Sequence, residues 1–345
     1  MIEKSKFYRL LKKIPKAEIH LHAEGIISKK TAQKLLKRKN AEYKDIKKVE
    51  EIFNYNSLNE FINSFLLIQN SFEDLSDFNE LFFNVRDYLK RNNIVYAEIF
   101  FSPSLFVQNG WQFKDMMDMF LKRIKKMKKK DNITVKVIVD VSRSFGVENA
   151  LQNLRSVIDY DSKNIIGIGL GGYEANGPAK DFVKVFKIAK ENGFRTVAHA
   201  GEDVGPESIW DSIKLLGAER IGHGISAIYD EELMNYLAEK KIPLEICPTS
   251  NVFTKKYVKK YEEHPIKKFY EKGILVTVNT DDPTFFNVEL IEEYWNLYEK
   301  LNFSLEDIKN LIINGFKASF LSEKKKKKFI KKVNLIWKKY KYENF

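Results

Sequence analysis

Residues 17–22 read Ala-Glu-Ile-His-Leu-His, a short apolar run that ends in two histidines. Seven runs of similar length follow, and amphipathic helical patterns such as those at 179–192 and 230–240 lie between them. The seven runs lie at 95–101, 133–140, 165–170, 196–200, 220–223, 243–247 and 274–279. Strands that alternate with helices are typical of βαβ units and a parallel sheet. Eight such units predict an α/β fold, the (β/α)8 TIM barrel.

An open, doubly wound sheet is the alternative fold for the same pattern. That fold binds dinucleotides at a Gly-x-Gly-x-x-Gly turn after its first strand, but here the glycine-rich stretch 167–172 lies in mid-chain and does not match cleanly. We therefore expect no dinucleotide site. The 345 residues contain no repeat or linker, so we expect a single domain over 1–345 with a helical insertion at about 30–90.

The insertion contains one helical face made of Leu58, Phe61, Ile62 and Phe65. Their spacing places the four apolar side chains on the same side of a helix. Two interpretations are open. The face either packs against the barrel in the ordinary way or forms an apolar lid over a pocket at the barrel mouth.

Much of the formal net charge of +12 comes from the C-terminal residues 323–345, which hold ten lysines and two glutamates. A second cluster lies in an apparent helix at Lys122–Lys130. In the tail, apolar residues from Phe329 to Tyr340 recur at helical spacing, so we expect a basic C-terminal helix packed on the body. A patch for nucleic acid or an anionic membrane is the alternative interpretation.

Cys247 is the only cysteine. A disulfide framework and a cysteine-rich zinc site are therefore excluded. No apolar stretch is long enough to span a bilayer, and residues 1–20 lack the apolar core of a signal peptide. We expect a cytoplasmic protein that binds neither membranes nor nucleic acid.

Four of the five histidines end predicted strands. His20 and His22 end the first strand, His199 the fifth and His223 the sixth, and two aspartates at 281–282 follow the eighth. The carboxyl ends of barrel strands meet on one face, where barrel enzymes place their active sites. We therefore expect these side chains to form one site.

The spacing of His20 and His22 aims both imidazoles to the same side of a strand. With His199 and Asp281 they make a nitrogen and oxygen donor set that suits Zn²⁺. The sequence therefore predicts one zinc ion per subunit. Such an ion lowers the pKa of a bound water to about 7 and so supplies hydroxide at neutral pH.

Two further residues are candidates for proton transfer. His223 is the candidate base, and Glu202, three residues after His199, is the candidate acid that protonates the substrate. Asp282 adjoins Asp281, where it either accepts a hydrogen bond from the substrate or caps a turn before Pro283.

These residues and their order resemble the adenosine deaminase family of the amidohydrolase superfamily, from Pro15 to about Asn287. Five ordered motifs carry the resemblance: Pro15–His22, His199–Glu202, Arg220–Gly224, Cys247–Asn251 and Asn279–Pro283. The spacing of Leu58, Phe61 and Phe65 is similar to that of the family's lid helix. His264-Pro265-Ile266 also matches a family segment, and we assign His264 a structural role.

The resemblance implies a (β/α)8 zinc hydrolase that releases ammonia from C6 of an adenine ring. His20, His22, His199 and Asp281 would bind the metal. Glu202 would donate a proton to purine N1, and His223 would orient the attacking water. Asp282 would contact N7, and Asp281 would also take part in catalysis. The backbone N–H of Gly172 would donate to N3.

Departures from the family pattern concern the substrate. Glu24 stands where adenosine deaminases carry an Asp that contacts ribose. A Glu at this position is similar to the pattern of adenine deaminases. The stretches Gly169–Glu174 and Gly205–Trp210 resemble the subgroup that acts on aminodeoxyfutalosine, an adenosine with a bulky 5′ group. Ala23 leaves room for such a group, and Phe100 replaces a usual Arg.

We expect a small-molecule purine substrate: adenosine, deoxyadenosine or a 5′-modified analogue, with Glu24 as a substrate-binding residue. Adenine and aminodeoxyfutalosine are the alternatives. Amidohydrolase barrels also act on other rings and amides, which the fold alone does not exclude. The non-enzymatic alternative is a basic nucleic-acid-binding protein built on an inactive barrel. Such a protein is expected to lack one of the metal ligands or Glu202.

Overall fold

Eight parallel strands form one sheet in chain order in the computed structural model, which describes residues 2–55 and 57–344, with side chains as far as Tyr340. The strands are β1 (Lys16–His22), β2 (Ile94–Phe101), β3 (Thr134–Ser142), β4 (Ile165–Gly171), β5 (Arg195–Ala200), β6 (Arg220–His223), β7 (Leu244–Ile246) and β8 (Val276–Val278). All eight coincide with the predicted runs. The strands β7 and β8 are shorter than predicted, and β7 stops just before Pro248 begins a helix.

The sheet closes on itself where the residues after β8 meet β1. Leu21 and Asp281 form a parallel bridge. The N–H of His22 donates to the carbonyl of Asp281 at 3.0 Å, and the N–H of Asp281 donates to the carbonyl of His20 at 3.3 Å. The (β/α)8 TIM barrel is confirmed, and the open doubly wound sheet is excluded.

Helices surround the barrel and cover its ends. They are α1 (Lys4–Lys13), α2 (Lys29–Lys39), α3 (Ile46–Ile52), α4 (Leu58–Asn70), α5 (Asp77–Arg91), α6 (Ser104–Gln108), α7 (Phe113–Asp131), α8 (Gly146–Tyr160), α9 (Val183–Glu191), α10 (Pro206–Lys214), α11 (Glu231–Lys240), α12 (Pro248–Thr254), α13 (Ile266–Glu271), α14 (Leu290–Lys300), α15 (Leu305–Ala318) and α16 (Glu323–Asn344). The helix predicted over 179–192 is divided, because residues 179–182 form a 3₁₀ turn before α9 begins. None of the helices in the described ranges has the length and apolar character needed to cross a bilayer.

Helices α2 to α5 lie between β1 and β2, where the sequence predicts an insertion. In α5 an apolar face that includes Phe78, Leu81 and Val85 is buried, as in an ordinary outer helix of a barrel. Helix α4 is different. It begins where the Ser57 side chain accepts a hydrogen bond from the N–H of Glu60, and its only fully buried residues are Ile68 and Gln69. Most of its apolar face therefore remains partly accessible.

The lysine-rich C-terminal segment forms α16, which packs on α15. Val333 and Trp337 are buried on the side that faces the barrel. The ring of Phe329 stacks on that of Phe316 in α15 with their centroids 5.0 Å apart. This apolar stripe docks the helix, because burial of large apolar side chains is the main favourable contribution to such contacts.

Replacement of Trp337 by Ala tests the docking of α16. The side chain is 4% exposed, so we expect Trp337→Ala to lower the free energy of unfolding by about 3 kcal/mol. Leu335 lies on the same helix and is 58% exposed, so Leu335→Ala is the matched control and should have an effect below about 0.5 kcal/mol. Thermal unfolding followed by circular dichroism compares the two variants. Equal unfolding midpoints would show that α16 does not dock in solution.

Candidate active site

The histidines at the ends of β1 and β5 converge on the carboxylate of Asp281. The Nε2 atoms of His22 and His199 lie 3.2 Å apart. Asp281 Oδ1 is 3.2 Å from His22 Nε2 and 3.4 Å from His20 Nε2. The four residues predicted as ligands from the sequence therefore meet at one point, although β1, β5 and the loop after β8 are far apart in the chain.

This cluster can hold a metal ion. One ligand atom each from His20, His199, His223 and Asp281 lies within 4.8 Å of the others, and His22, Asp281 and Asp282 form a second such group. The Nε2 atom of His20 is buried and has no hydrogen-bond partner among the residues that the structure describes. An unpartnered buried nitrogen that points at a carboxylate and other imidazoles fits a bound cation.

Outer contacts fix the imidazoles through their second ring nitrogens. Nδ1 of His20 is 2.8 Å from Glu245 Oε2, and Nδ1 of His199 is 3.2 Å from the carbonyl oxygen of Leu170. The Ser250 hydroxyl donates to Asp281 Oδ2 at 2.8 Å. Such partners hold metal-binding side chains in one tautomer and orientation.

The sequence analysis missed Glu245 and Ser250 as site residues. One feature of the sequence pointed to Glu245: it is a charged residue in the middle of the apolar run that forms β7. Its partner, His20, is identified only when β1 and β7 are placed in the same barrel. Ser250 lies in a motif that carries the family resemblance, but nothing in that motif shows that the hydroxyl faces Asp281.

Electrostatics at the cluster favour positive charge beside an ionised Asp281. Burial acts to lower the pKa of His20, but attraction to the carboxylates of Asp281 and Glu245 outweighs it and raises this pKa to about 10. Burial acts to raise the pKa of Asp281, but attraction to the imidazoles of His20 and His22 holds it well below its usual range. A buried carboxylate that stays ionised among imidazoles is suited to binding a cation.

Two other carboxyls of the site are shifted in the opposite direction. Burial, and then the charge of Asp281, raises the pKa of Glu202 well above its usual range. The same two causes raise the pKa of Asp282. Both groups therefore favour the protonated form, which donates hydrogen bonds, more strongly than an ordinary carboxyl does, while Asp281 favours the ionised form, which accepts. Carboxyls separated in this way into acids and an ionised acceptor are typical of catalytic sites.

Glu202 is held in place by a loop that surrounds a second carboxylate, Glu174. Oε2 of Glu174 accepts hydrogen bonds from the backbone N–H groups of Glu202, Asp203 and Val204, at 3.1, 2.8 and 3.0 Å. Its Oε1 accepts from the N–H of Gly201 at 2.6 Å. These bonds connect the loop after β4 to the loop after β5, and so fix the backbone from which Glu202 extends. The carboxylate of Glu202 lies 3.4 Å from Nε2 of His223.

A cavity opens above the cluster. Its polar floor includes His22, His199, Glu202, His223, Asp281 and Asp282. Its apolar wall comes largely from α4, whose Leu58, Phe61 and Phe65 line it. The ring of Phe61 also packs on that of Phe286 with centroids 5.1 Å apart. The α4 face therefore both packs on the barrel and forms the cavity wall.

The remaining predicted substrate residues occupy different positions. Gly172 lines the cavity with a φ of +87°, and a Cβ atom there would lie 2.8 Å from the Ser142 hydroxyl, so this position requires glycine. Glu24 is buried behind the wall, where its Oε1 accepts hydrogen bonds from Gln69 Nε2 at 3.0 Å and the N–H of Ser102 at 3.2 Å. Gln69 and Ser102 themselves line the cavity. Direct contact of Glu24 with a substrate stays a prediction.

The cavity includes one carboxylate that the sequence analysis did not identify, Asp140 at the end of β3. Burial raises its pKa to about 6. It fits there because Gly169 and Gly171 on the neighbouring strand have no side chains: a Cβ atom on Gly169 would lie 2.5 Å from Asp140 Oδ1. The only available signal was an acidic residue at a strand end, which is not specific.

Comparisons with known proteins agree with this geometry. The family model "Adenosine deaminase" matches residues 15–336. A protein of Wolinella succinogenes named adenine deaminase is 36% identical over 326 residues, which cover 94% of this chain and 98% of that protein. One of Clostridium perfringens named adenosine deaminase is 35% identical over 321 residues, which cover 91% and 96%.

The solved structures show the same relationship. The crystal structure of an adenine deaminase from Arthrobacter aurescens superposes with a TM-score of 0.88 at 27% identity, covering 94% of this chain and 99% of that one. A family model that spans most of the chain, together with relatives above 30% identity over nearly their full length, identifies the family. The chain belongs to the adenosine deaminase family of hydrolytic deaminases, which act on carbon–nitrogen bonds of adenine or adenosine-type substrates.

Proposed function

We propose that this protein is a zinc-dependent deaminase of the adenine ring in adenosine or a related nucleoside, including 5′-modified ones. The observation that carries the proposal is the position of Glu202, a carboxyl whose pKa is raised by burial, beside a cluster of histidines and the carboxylate of Asp281 on one cavity floor. A cation site adjacent to a general acid is what hydrolysis of an amidine carbon–nitrogen bond requires.

The donor set supports Zn²⁺ as the metal. His20, His22, His199 and Asp281 supply three imidazole nitrogens and one carboxylate oxygen, and these ligand types suit zinc. Zn²⁺ held there supplies a Lewis acid that lowers the pKa of water to about 7. The low pKa of Asp281 supports its assignment as the anionic ligand.

The protonation states support definite roles for the other residues. Glu202, whose pKa is raised by burial, donates its proton to purine N1, which removes the aromatic character of the ring and makes C6 electrophilic. Asp282, whose pKa is raised in the same way, donates a hydrogen bond to N7, since its Oδ1 has no partner among the described residues. His223 orients the attacking water through Nε2. Of the two water protons, one passes to the departing 6-amino group and the other returns to Glu202, so that ammonia leaves from the tetrahedral carbon and the acid is restored. Gly172 receives N3 at the cavity wall.

The cavity wall supports a neutral nucleoside rather than a nucleotide. Among the residues described around the cavity, the lining includes no Lys or Arg, although the chain carries a net charge of +12. A 5′-phosphate would therefore be desolvated beside carboxylates with no cation to pair with it. Uncharged hydrogen-bonding side chains are abundant instead, from Gln69, Ser102, Ser104, Ser142 and Ser144. They exceed what a bare adenine needs and suit ribose hydroxyls.

Adenine is the second candidate substrate. Two observations favour it: the name of the Wolinella succinogenes relative at 36% identity, and Glu24 in place of an aspartate that contacts ribose. In the same proposal, α4 acts as the lid of the cavity, because its half-exposed apolar face forms the outer wall.

Metal removal is the first test. Dialysis against a chelator should abolish turnover of adenosine, because the donor cluster then holds no Lewis acid, and added Zn²⁺ should restore it. Metal content is measured by mass spectrometry of the same samples. Full turnover by protein with no bound metal would contradict the mechanism.

The acid role of Glu202 is tested by Glu202→Gln, which preserves shape but carries no transferable proton. We expect kcat to fall by about 10² to 10⁴-fold, with zinc content and thermal midpoint unchanged. Glu191→Gln, an exposed change at the end of α9, is the matched control and should leave kcat unaltered. If Glu202→Gln deaminates at the rate of the native protein, Glu202 is not the acid.

Substrate class is tested by the absorbance change on deamination of adenine, adenosine, 2′-deoxyadenosine, methylthioadenosine, aminodeoxyfutalosine and AMP. We expect a nucleoside to have the highest kcat/KM, and AMP to be at least about 100-fold poorer than adenosine because its phosphate finds no cation. If adenine ranks first, the second candidate is correct. Efficient turnover of AMP would overturn the argument from the cavity lining.

A further inference from the structure

His264 is the one histidine outside the cluster, and it is buried near the start of α13. Its Nδ1 accepts a hydrogen bond from the backbone N–H of Ile266 at 3.1 Å. Ile266 is the first residue of α13, so this N–H is among those that a helix leaves without an internal partner. A backbone N–H can only donate. Nδ1 of His264 is therefore an acceptor that carries no proton.

The single proton of neutral His264 is then on Nε2. Burial lowers the pKa of His264 to about 3, so the ring is neutral under physiological conditions. Nε2 lies 3.2 Å from Oδ1 of Asn251, and this contact is an N–H to oxygen hydrogen bond. The bond fixes the orientation of the Asn251 amide, with its oxygen toward His264.

The other end of the amide faces the active site. Nδ2 of Asn251 lies 3.0 Å from Nδ1 of His223, and since the amide nitrogen is a donor, Nδ1 of His223 must accept. The proton of neutral His223 is consequently on Nε2. That nitrogen points toward Glu202 Oε2 at 3.4 Å and Asp281 Oδ2 at 3.8 Å, on the cavity floor.

We propose that Asn251 and His264 are positioning residues that set the tautomer of His223, so that neutral His223 presents an N–H donor rather than a lone pair to the cavity. The backbone N–H of Ile266 can only donate, and it therefore fixes the direction of every hydrogen bond in the series. Three hydrogen bonds connect it to His223 through His264 and Asn251. Under the proposed function, on which this inference rests for its catalytic meaning, His223 holds the oxygen of the attacking water by donating to it, in place of the role of base that the sequence suggested.

Asn251→Asp is the decisive variant because it preserves size and reverses one hydrogen bond. A carboxylate still accepts from His264 Nε2, but its second oxygen also accepts, so Nδ1 of His223 must become protonated. His264→Leu removes the group that orients the amide, whereas His264→Gln retains an N–H donor toward Asn251. Asn314→Asp is the control, since Asn314 is a buried asparagine of α15 that donates to the carbonyl of Val276 at 3.1 Å.

The test is long-range ¹H–¹⁵N NMR of the full chain labelled in histidine and loaded with Zn²⁺, with the His223 signals identified by loss in His223→Asn. In the native protein and in His264→Gln we expect the proton on Nε2 of His223. In Asn251→Asp we expect protonated Nδ1. Asn314→Asp should lower the thermal midpoint and leave the His223 pattern unchanged.

Kinetics give an independent result. We expect Asn251→Asp to lower kcat by about 100-fold with less than about 3-fold change in KM, and His264→Gln to recover most of an about 10-fold loss in His264→Leu. Protonated Nδ1 in the native protein, or unprotonated Nδ1 in Asn251→Asp, would overturn the proposal. The NMR measurement does not require turnover. If the protein deaminates none of the tested substrates, the proposed function is refuted, but the NMR spectra still show which nitrogen of His223 carries the proton.

Discussion

The guanidinium of Arg220 is buried inside the barrel, and the two carboxylates that pair with it constrain the site above. Nη1 of Arg220 lies 2.6 Å from Glu98 Oε2, and its Nε lies 2.5 Å from Glu245 Oε1. The second oxygen of Glu245 faces His20. A buried charge is tolerated only when it is paired, and removal of one partner typically costs about 3–5 kcal/mol. The ion pairs thus join β2, β6 and β7 and fix the Glu245 carboxyl against His20, so the orientation of an imidazole in the candidate metal cluster depends on charges deeper in the barrel.

Burial and the distance to neighbouring charged groups set the pKa of each carboxyl on the cavity floor. Asp281 is adjacent to Asp282 in sequence, yet their pKa values move in opposite directions, because interactions with His20 and His22 outweigh burial at Asp281, whereas burial and the charge of Asp281 both raise the pKa of Asp282. Burial and then the charge of Asp281 raise the pKa of Glu202 as well. Residues of one chemical type therefore take different roles through their surroundings, which composition does not reveal.

The sequence was informative where polar residues interrupt an apolar pattern. His199 ends an otherwise apolar strand, and a barrel places all such ends on one face, so the cluster could be predicted without coordinates. Contacts between distant segments could not. Asn251 and His264 belong to recognised motifs, but their connection to His223 depends on how α12 and α13 pack beneath β6. Glu24 is a further example, because its motif suggests substrate contact but does not indicate that its carboxyl accepts hydrogen bonds from Gln69 and Ser102.

Barrel closure takes place at the metal cluster itself. The backbone of Asp281, in a left-handed conformation with φ of +64°, bridges to Leu21, while its side chain meets His20 and His22 of the same strand. A ligand that binds only the closed form stabilises it in proportion to the logarithm of its free concentration over its dissociation constant. A metal held by this cluster would therefore link its supply to the folding equilibrium of the chain: the seam between the first and last strands would be held more firmly as the cluster fills, and the metal-free form would be the one most exposed to opening and proteolysis.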